Sequence, residues 1–181
     1  MKKKFLYRMV LSAIMAALVL VLTYTVKIPT PTGYVHLGDA AVYLAAALLP
    51  TPYAVFAAGL GGALSDLLGG YVSYCIPTFI IKALLTLSFS YKGENTVDRR
   101  NAWSTAVGGV ITVVGYYITK AVLVILASPE PLESAFTATP WLAAVATIPE
   151  NIGQAAASAL VFLLIGRGLD RLGFKKRFSL N

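Results

Sequence analysis

The sequence predicts an all-α integral membrane protein of six transmembrane helices with both termini in the cytoplasm. Three observations predict it. Of 181 residues, 57% are hydrophobic and only 13% charged, where a soluble domain has roughly 45–50% and about 25%. The basic residues gather in three clusters separated by apolar stretches. The other ionisable and amide side chains concentrate at one end of those stretches.

The apolar stretches read in order as six segments. Segment 1, Phe5–Val26, has the roughly 20 residues that span a hydrocarbon core. No small-residue cleavage site precedes Lys27, so this segment reads as retained rather than as a signal peptide. The stretch Lys27–His36, rich in Pro, Thr and Gly, reads as a non-helical loop. Segment 2, Leu37–Leu49, is short for an upright span and stops at Pro50-Thr51-Pro52. Segments 3 and 4 cover Tyr53–Tyr71 and Tyr74–Tyr91, and the polar run Lys92–Asn101 is a loop. Segment 5 covers Ala102–Ala127. The proline-containing stretch Ser128–Pro149 is an outer loop with room for a short interfacial helix around Trp141–Thr147. Segment 6, Glu150–Leu169, leads into a basic tail. The connections leave no space for a soluble domain, so residues 1–181 read as one six-helix membrane domain.

Charge sets the orientation. Lys2, Lys3, Lys4 and Arg8 precede segment 1; Lys92, Arg99 and Arg100 separate segments 4 and 5; Arg167, Arg171, Lys175, Lys176 and Arg177 follow segment 6. Six crossings put all three clusters on one side, which the positive-inside rule makes cytoplasmic. The other side holds Lys27, Glu130 and Glu133. Five or seven crossings would split the clusters.

In this orientation His36, Asp39, Asp66, Tyr74, Thr78, Lys82, Tyr116, Tyr117, Lys120, Glu150, Asn151 and Gln154 fall in the outer half of the membrane or near its midplane. An ionisable group in hydrocarbon normally faces a cavity or a partner. Tyr74, Thr78 and Lys82 are four apart and share a helical stripe; Tyr116 and Lys120 make another; Glu150, Asn151 and Gln154 gather on segment 6. Rings beside amides and charges suit a flat heteroaromatic ligand. The candidate binding set is therefore His36, Asp39, Tyr74, Thr78, Lys82, Tyr116, Tyr117, Lys120, Glu150, Asn151 and Gln154. Structural roles compete for some of these groups. Asp39 can cap segment 2 or pair with a lysine, Asp66 can pair with Lys82, and Tyr71 and Tyr74 can belong to an interfacial aromatic belt. On segment 1, Ser12/Ala16 and Ala13/Ala17 are small residues four apart, a pattern that lets helices approach closely.

Several function classes are excluded. The sequence has no GxxxxGK[ST] phosphate loop, no HExxH and no GxSxG. One histidine and one cysteine, Cys75, rule out an internal disulfide and a His- or Cys-rich zinc site. No catalytic residue, cofactor or metal is expected. Energy for uphill movement would come from another chain or an ion gradient.

The runs Gly33–Ala40 (GYVHLGDA), Gly59–Tyr71 (GLGGALSDLLGGY) and Pro77–Lys82 (PTFIIK) resemble the substrate-capture (S) components of energy-coupling factor (ECF) vitamin transporters. The branch they resemble is named for riboflavin and includes proteins assigned to pyridoxine and hydroxymethylpyrimidine. Pro149–Gln154 is similar to the polar start of that family's last helix. The resemblance implies a multi-pass protein of a prokaryotic cell membrane that binds a vitamin from outside. It further implies docking on a membrane coupling subunit and two cytoplasmic ATPases, and no enzymatic activity. The partner-facing residues it implies lie on the small face of segment 1: Ser12, Ala13, Ala16 and Ala17. Two rivals are a self-sufficient secondary transporter, which would need an ion site on broken helices, and an intramembrane enzyme using Asp39, Asp66 or Glu150 as acid or base.

Overall fold

The structure, a computed structural model, describes residues 2–31, 33–128 and 137–177. It is mostly helical. The helices are α1 (Lys2–Thr25), α2 (Gly38–Leu48), α3 (Thr51–Leu68), α4 (Cys75–Leu87), α5 (Arg99–Ala127), α6 (Ala138–Val145), α7 (Thr147–Arg171) and the single turn α8 (Phe174–Arg177). Three stretches, Lys4–Thr25, Arg99–Ala127 and Ala138–Arg171, are long and apolar enough to cross a membrane. Helices α2 and α4 are apolar but shorter.

The stretch Lys27–His36 is non-helical, as its composition predicts, but where a loop was expected it pairs as an antiparallel hairpin of β1 (Lys27–Thr30) and β2 (Gly33–His36), with Lys27 opposite His36 and Thr30 opposite Gly33. The pairing satisfies the backbone hydrogen bonds of this segment within the chain. The outer-loop helix begins at Ala138, three residues before its expected start. Glu130 and Glu133 lie outside the described residues.

Local chemistry sets the helix ends. Asp98 accepts from the Asn101 backbone N–H at 2.7 Å and caps α5, so this helix starts at Arg99 rather than Ala102. Helix α3 closes on Gly70, whose φ of +81° is left-handed. The Tyr71 N–H then bonds back to the Asp66 carbonyl at 2.8 Å and the Gly70 N–H to Leu67 at 3.3 Å. This paired closure turns the chain sharply and brings Tyr71 beside Asp66.

Helices α1, α3, α4, α5 and α7 pack each on the next, and α2 packs against α1, α3, α4 and α7. All eleven residues of α2 are buried. Small residues allow the close approach. A Cβ at Gly61 would sit 2.6 Å from the Ala16 carbonyl oxygen, so α1 and α3 meet backbone to backbone there. Below Asp39, the Tyr43 ring stacks on Phe89 at 5.1 Å and meets Phe162 edge-on at 5.9 Å, forming an aromatic centre.

Candidate functional site

A cavity opens at the hairpin end of the bundle. It encloses about 560 Å³, part of it open to solvent, and is lined by Tyr34, His36, Asp66, Tyr71, Tyr74, Tyr116, Thr147, Glu150, Asn151 and Gln154. The lining comes from the hairpin, the end of α3, the turn between α3 and α4 that carries Tyr71 and Tyr74, the middle of α5 and the first turns of α7.

The floor is a closed polar network. Lys82 of α4 and Asp39 of α2 form a fully buried ion pair. The Gln154 Nε2 donates to Asp39 Oδ2 at 2.9 Å, and Gln154 Oε1 accepts the His36 backbone N–H at 3.3 Å. One side chain thus ties α7 to both α2 and the hairpin. The Gly38 N–H donates to His36 Nδ1 at 3.0 Å, which places the imidazole proton on Nε2. Burial, reinforced by the Lys82 charge, holds the His36 pKa down at about 3, so the ring is neutral at neutral pH. The Thr78 and Tyr116 hydroxyls meet at 3.2 Å, and the Lys82 ammonium lies 5.3 Å from the Tyr116 ring centre.

The walls are tyrosines. The Tyr34 hydroxyl donates to Asp66 Oδ1 at 2.6 Å, and its ring lies 5.0 Å from Tyr71, which meets Tyr74 edge-on at 6.4 Å. Burial and then the Asp66 charge raise the Tyr34 pKa, so its hydroxyl stays a donor. Asp66 is 4% exposed, and its Oδ2 takes no hydrogen bond from the described residues. On α7, Asn151 Nδ2 donates to the Thr147 carbonyl at 2.8 Å.

The sequence-derived candidates separate into three groups. His36, Tyr74, Tyr116, Glu150, Asn151 and Gln154 line the cavity. Asp39, Thr78 and Lys82 lie in the network beneath it, where they shape the floor. Tyr117 and Lys120 are not in the lining; the Tyr117 ring packs on Trp141 of α6 at 5.9 Å. Asp66 does not pair with Lys82, because Asp39 takes that ammonium. Tyr34, Asp66, Tyr71 and Thr147 line the cavity outside the expected set. Tyr34 was hidden by reading the hairpin as a loop, and Tyr71 by the aromatic-belt reading.

The small face of α1 also divides. The Ser12 hydroxyl donates to the Tyr53 carbonyl at 3.0 Å and Ala16 packs against Gly61, so both serve the contact with α3. Ala13 and Ala17 are exposed.

An apolar helical bundle with a polar, ring-lined cavity at one end defines a membrane protein built to hold a small molecule. Residues 4–171 match the family described as the ECF-type riboflavin transporter, S component, and the chain belongs to that family. It is therefore a substrate-binding subunit of a membrane transporter and not an enzyme. The fold is similar to that of the S component of a bacterial ECF transporter, with a TM-score of 0.67 and 20% identity over 92% of this chain and 96% of that one. A Pyrococcus woesei protein, described as an uncharacterized protein in a gap 3′ region, is 34% identical over 108 residues, 58% of this chain and 72% of its own length.

Proposed function

We propose that the chain captures a small heteroaromatic vitamin or precursor from outside the cell, of the riboflavin, pyridoxine or hydroxymethylpyrimidine kind. It then delivers this ligand through a complex with a membrane coupling subunit and two cytoplasmic ATPases. The chain crosses the membrane six times as one domain, with both termini cytoplasmic and the cavity facing out. The observation that carries this reading is the cavity itself: four tyrosines, two carboxylates and two amides converge at the end away from the basic clusters. Rings offer stacking faces, and Asn151 and Glu150 offer edge contacts to ring nitrogens or hydroxyls. Ala13 and Ala17, exposed on the half of α1 away from the cavity, are the surface for the coupling subunit.

Titration calorimetry of the purified, ligand-stripped protein with the three vitamins tests the reading; submicromolar binding of at least one is expected, and binding of none overturns it. Orientation is tested by labelling Glu94→Cys and Ser73→Cys in a Cys75→Ala background. Both positions are exposed, and only Ser73→Cys should react from outside intact cells. Ala13→Trp with Ala17→Trp should abolish uptake and leave ligand affinity within about twofold, since a bulky ring blocks close helix approach.

A further inference from the structure

The connection between α4 and α5, from Ser88 to Asp98, has no helix or strand of its own. Its backbone groups need partners from elsewhere, and side chains supply them. Asp170 of α7 accepts the Thr96 N–H at 2.5 Å and the Val97 N–H at 3.0 Å. Asn101 of α5 accepts the Ser90 N–H at 2.8 Å and donates to the Thr96 carbonyl at 3.0 Å. The carbonyls of Tyr91, Gly93 and Asn95 converge on one point, and the Lys175 ammonium stands there, 3.1 Å from each.

That is an unusual place for a charge. Lys175 is 3% exposed, and a lysine so buried is normally paired with a carboxylate. The ion pairs among the described residues are Lys82 with Asp39 and Lys176 with Glu94, so Lys175 has none there. Three carbonyl dipoles stand in for a counter-charge, as carbonyl rings stand in for the water around an ion in a selectivity filter. The count matters. A neutral amine has two N–H groups and would leave one carbonyl unserved, whereas an ammonium has three. All three carbonyls come from alternate residues of one short stretch, so the cage belongs to the loop itself.

We propose that residues 91–95 form a receptor for a primary ammonium group, with Lys175 as its resident occupant, and that occupancy fixes the shape of the loop. The segment after α7 is then a latch that delivers one cation to the α4–α5 connection. The exposed side chains of Lys92, Glu94 and Asn95 are held in place as a result. A guanidinium does not suit this cage, because its N–H groups lie in one plane and diverge.

The test is chemical rescue, read by limited trypsin digestion of the purified full chain in detergent, with the cut after Lys92 followed by mass. Cleavage there requires the loop to open. Lys175→Ala empties the receptor and should speed that cut at least about tenfold. Propylammonium replaces the three carbons and the ammonium that the substitution removes. At about 100 mM, where it competes with the effective concentration of a tethered group, it should bring the rate back to within about threefold of wild type. Tetramethylammonium has the same charge and no N–H, and should leave the rate raised. Lys175→Arg keeps the charge and should be cut as fast as Lys175→Ala. Wild-type protection in either variant, equal effects of the two amines, or no rescue by propylammonium would each overturn the proposal. If Lys175→Ala does not fold, lysine acylation of the wild-type protein decides. Lys175 should react at least about tenfold more slowly than the exposed Lys92, since acylation requires the latch to open, and equal rates would overturn the proposal.

Discussion

The two ends of the bundle treat their polar groups differently. At the basic end, the buried and half-buried charged and amide side chains are paired within the chain, and the Thr96 hydroxyl is the buried polar atom there that takes no partner among the described residues. The Lys175 ammonium, 3% exposed, donates to the carbonyls of Tyr91, Gly93 and Asn95, each at 3.1 Å. The Asp170 carboxylate accepts the backbone N–H groups of Thr96 and Val97. Asn101 accepts from the Ser90 N–H and donates to the Ser90 and Thr96 carbonyls. At the cavity end, the floor is closed in the same way but the walls are not: Asp66 keeps an open oxygen, and tyrosine rings face empty space. Closed polar networks hold a fold in one arrangement. Capacity left open marks the place where something else completes the set.

This contrast can be broken by mutation. The largest effect belongs to the floor. Lys82→Met leaves Asp39 buried without its cation, and breaking one side of such a pair costs about 3–5 kcal/mol. Thermal unfolding in detergent should show a steep loss, with ligand binding falling alongside it. Lys175→Met at the other end uncovers three carbonyls. Hydrogen bonds to a charged group are worth about 1.5–3 kcal/mol each but are not additive, so a loss of about 2–4 kcal/mol is expected. Ligand affinity, measured by titration, should stay within about twofold.

Smaller effects sharpen the same comparison. Asn151→Ala should weaken ligand binding about tenfold to a hundredfold, the equivalent of one lost buried hydrogen bond at about 1–3 kcal/mol. Its unfolding temperature should barely move. Gln154→Ala should lower both affinity and stability, because its amide already serves Asp39 and His36. The last effect is one of pH. His36 titrates near 6.5 when unfolded and near 3 when folded. Above about pH 6.5 neither state binds that proton. As pH falls from 6.5 toward 3, the unfolded chain takes it up and the folded one does not, so stability falls. By pH 5 the loss is about 2 kcal/mol. Thermal unfolding at pH 7 and pH 5 should show it, and His36→Gln should lack that share.

Much of this was legible in the sequence, for physical reasons. Hydropathy and basic clusters report on lipid directly, so the positions of the main helices could be read within a few residues. The one-sided sorting of polar residues pointed to the end where the cavity lies. What could not be read was which polar groups pair with each other. Asp39 and Asp66 are both carboxylates within reach of segment 4, and only the packing of α2 inside the bundle gives Lys82 to Asp39. Periodicity places residues on a helix face but does not separate wall from floor, so Tyr74 and Lys82 share a stripe in sequence, yet Tyr74 lines the cavity and Lys82 is buried beneath it. The hairpin was missed because its strands are four residues long, lie among Pro and Gly, and carry no alternating burial that a sequence pattern could reflect. Tyr34 was missed with it.

Helix α2 has a further consequence. At eleven residues it is about 16 Å long, roughly half the hydrocarbon thickness, and it touches lipid on no side. Its neighbours keep one face toward the membrane, where one apolar side chain replaces another with little effect. A saturation-mutagenesis map of the chain would therefore show tolerance rising and falling every three to four positions along α1, α5 and α7. Across Gly38–Leu48 that rhythm should vanish. Even alanine-to-valine changes at Ala45 or Ala47, both fully enclosed, would overfill a packed interior. This short stretch would be recognisable from variation alone as an uninterrupted band of intolerance.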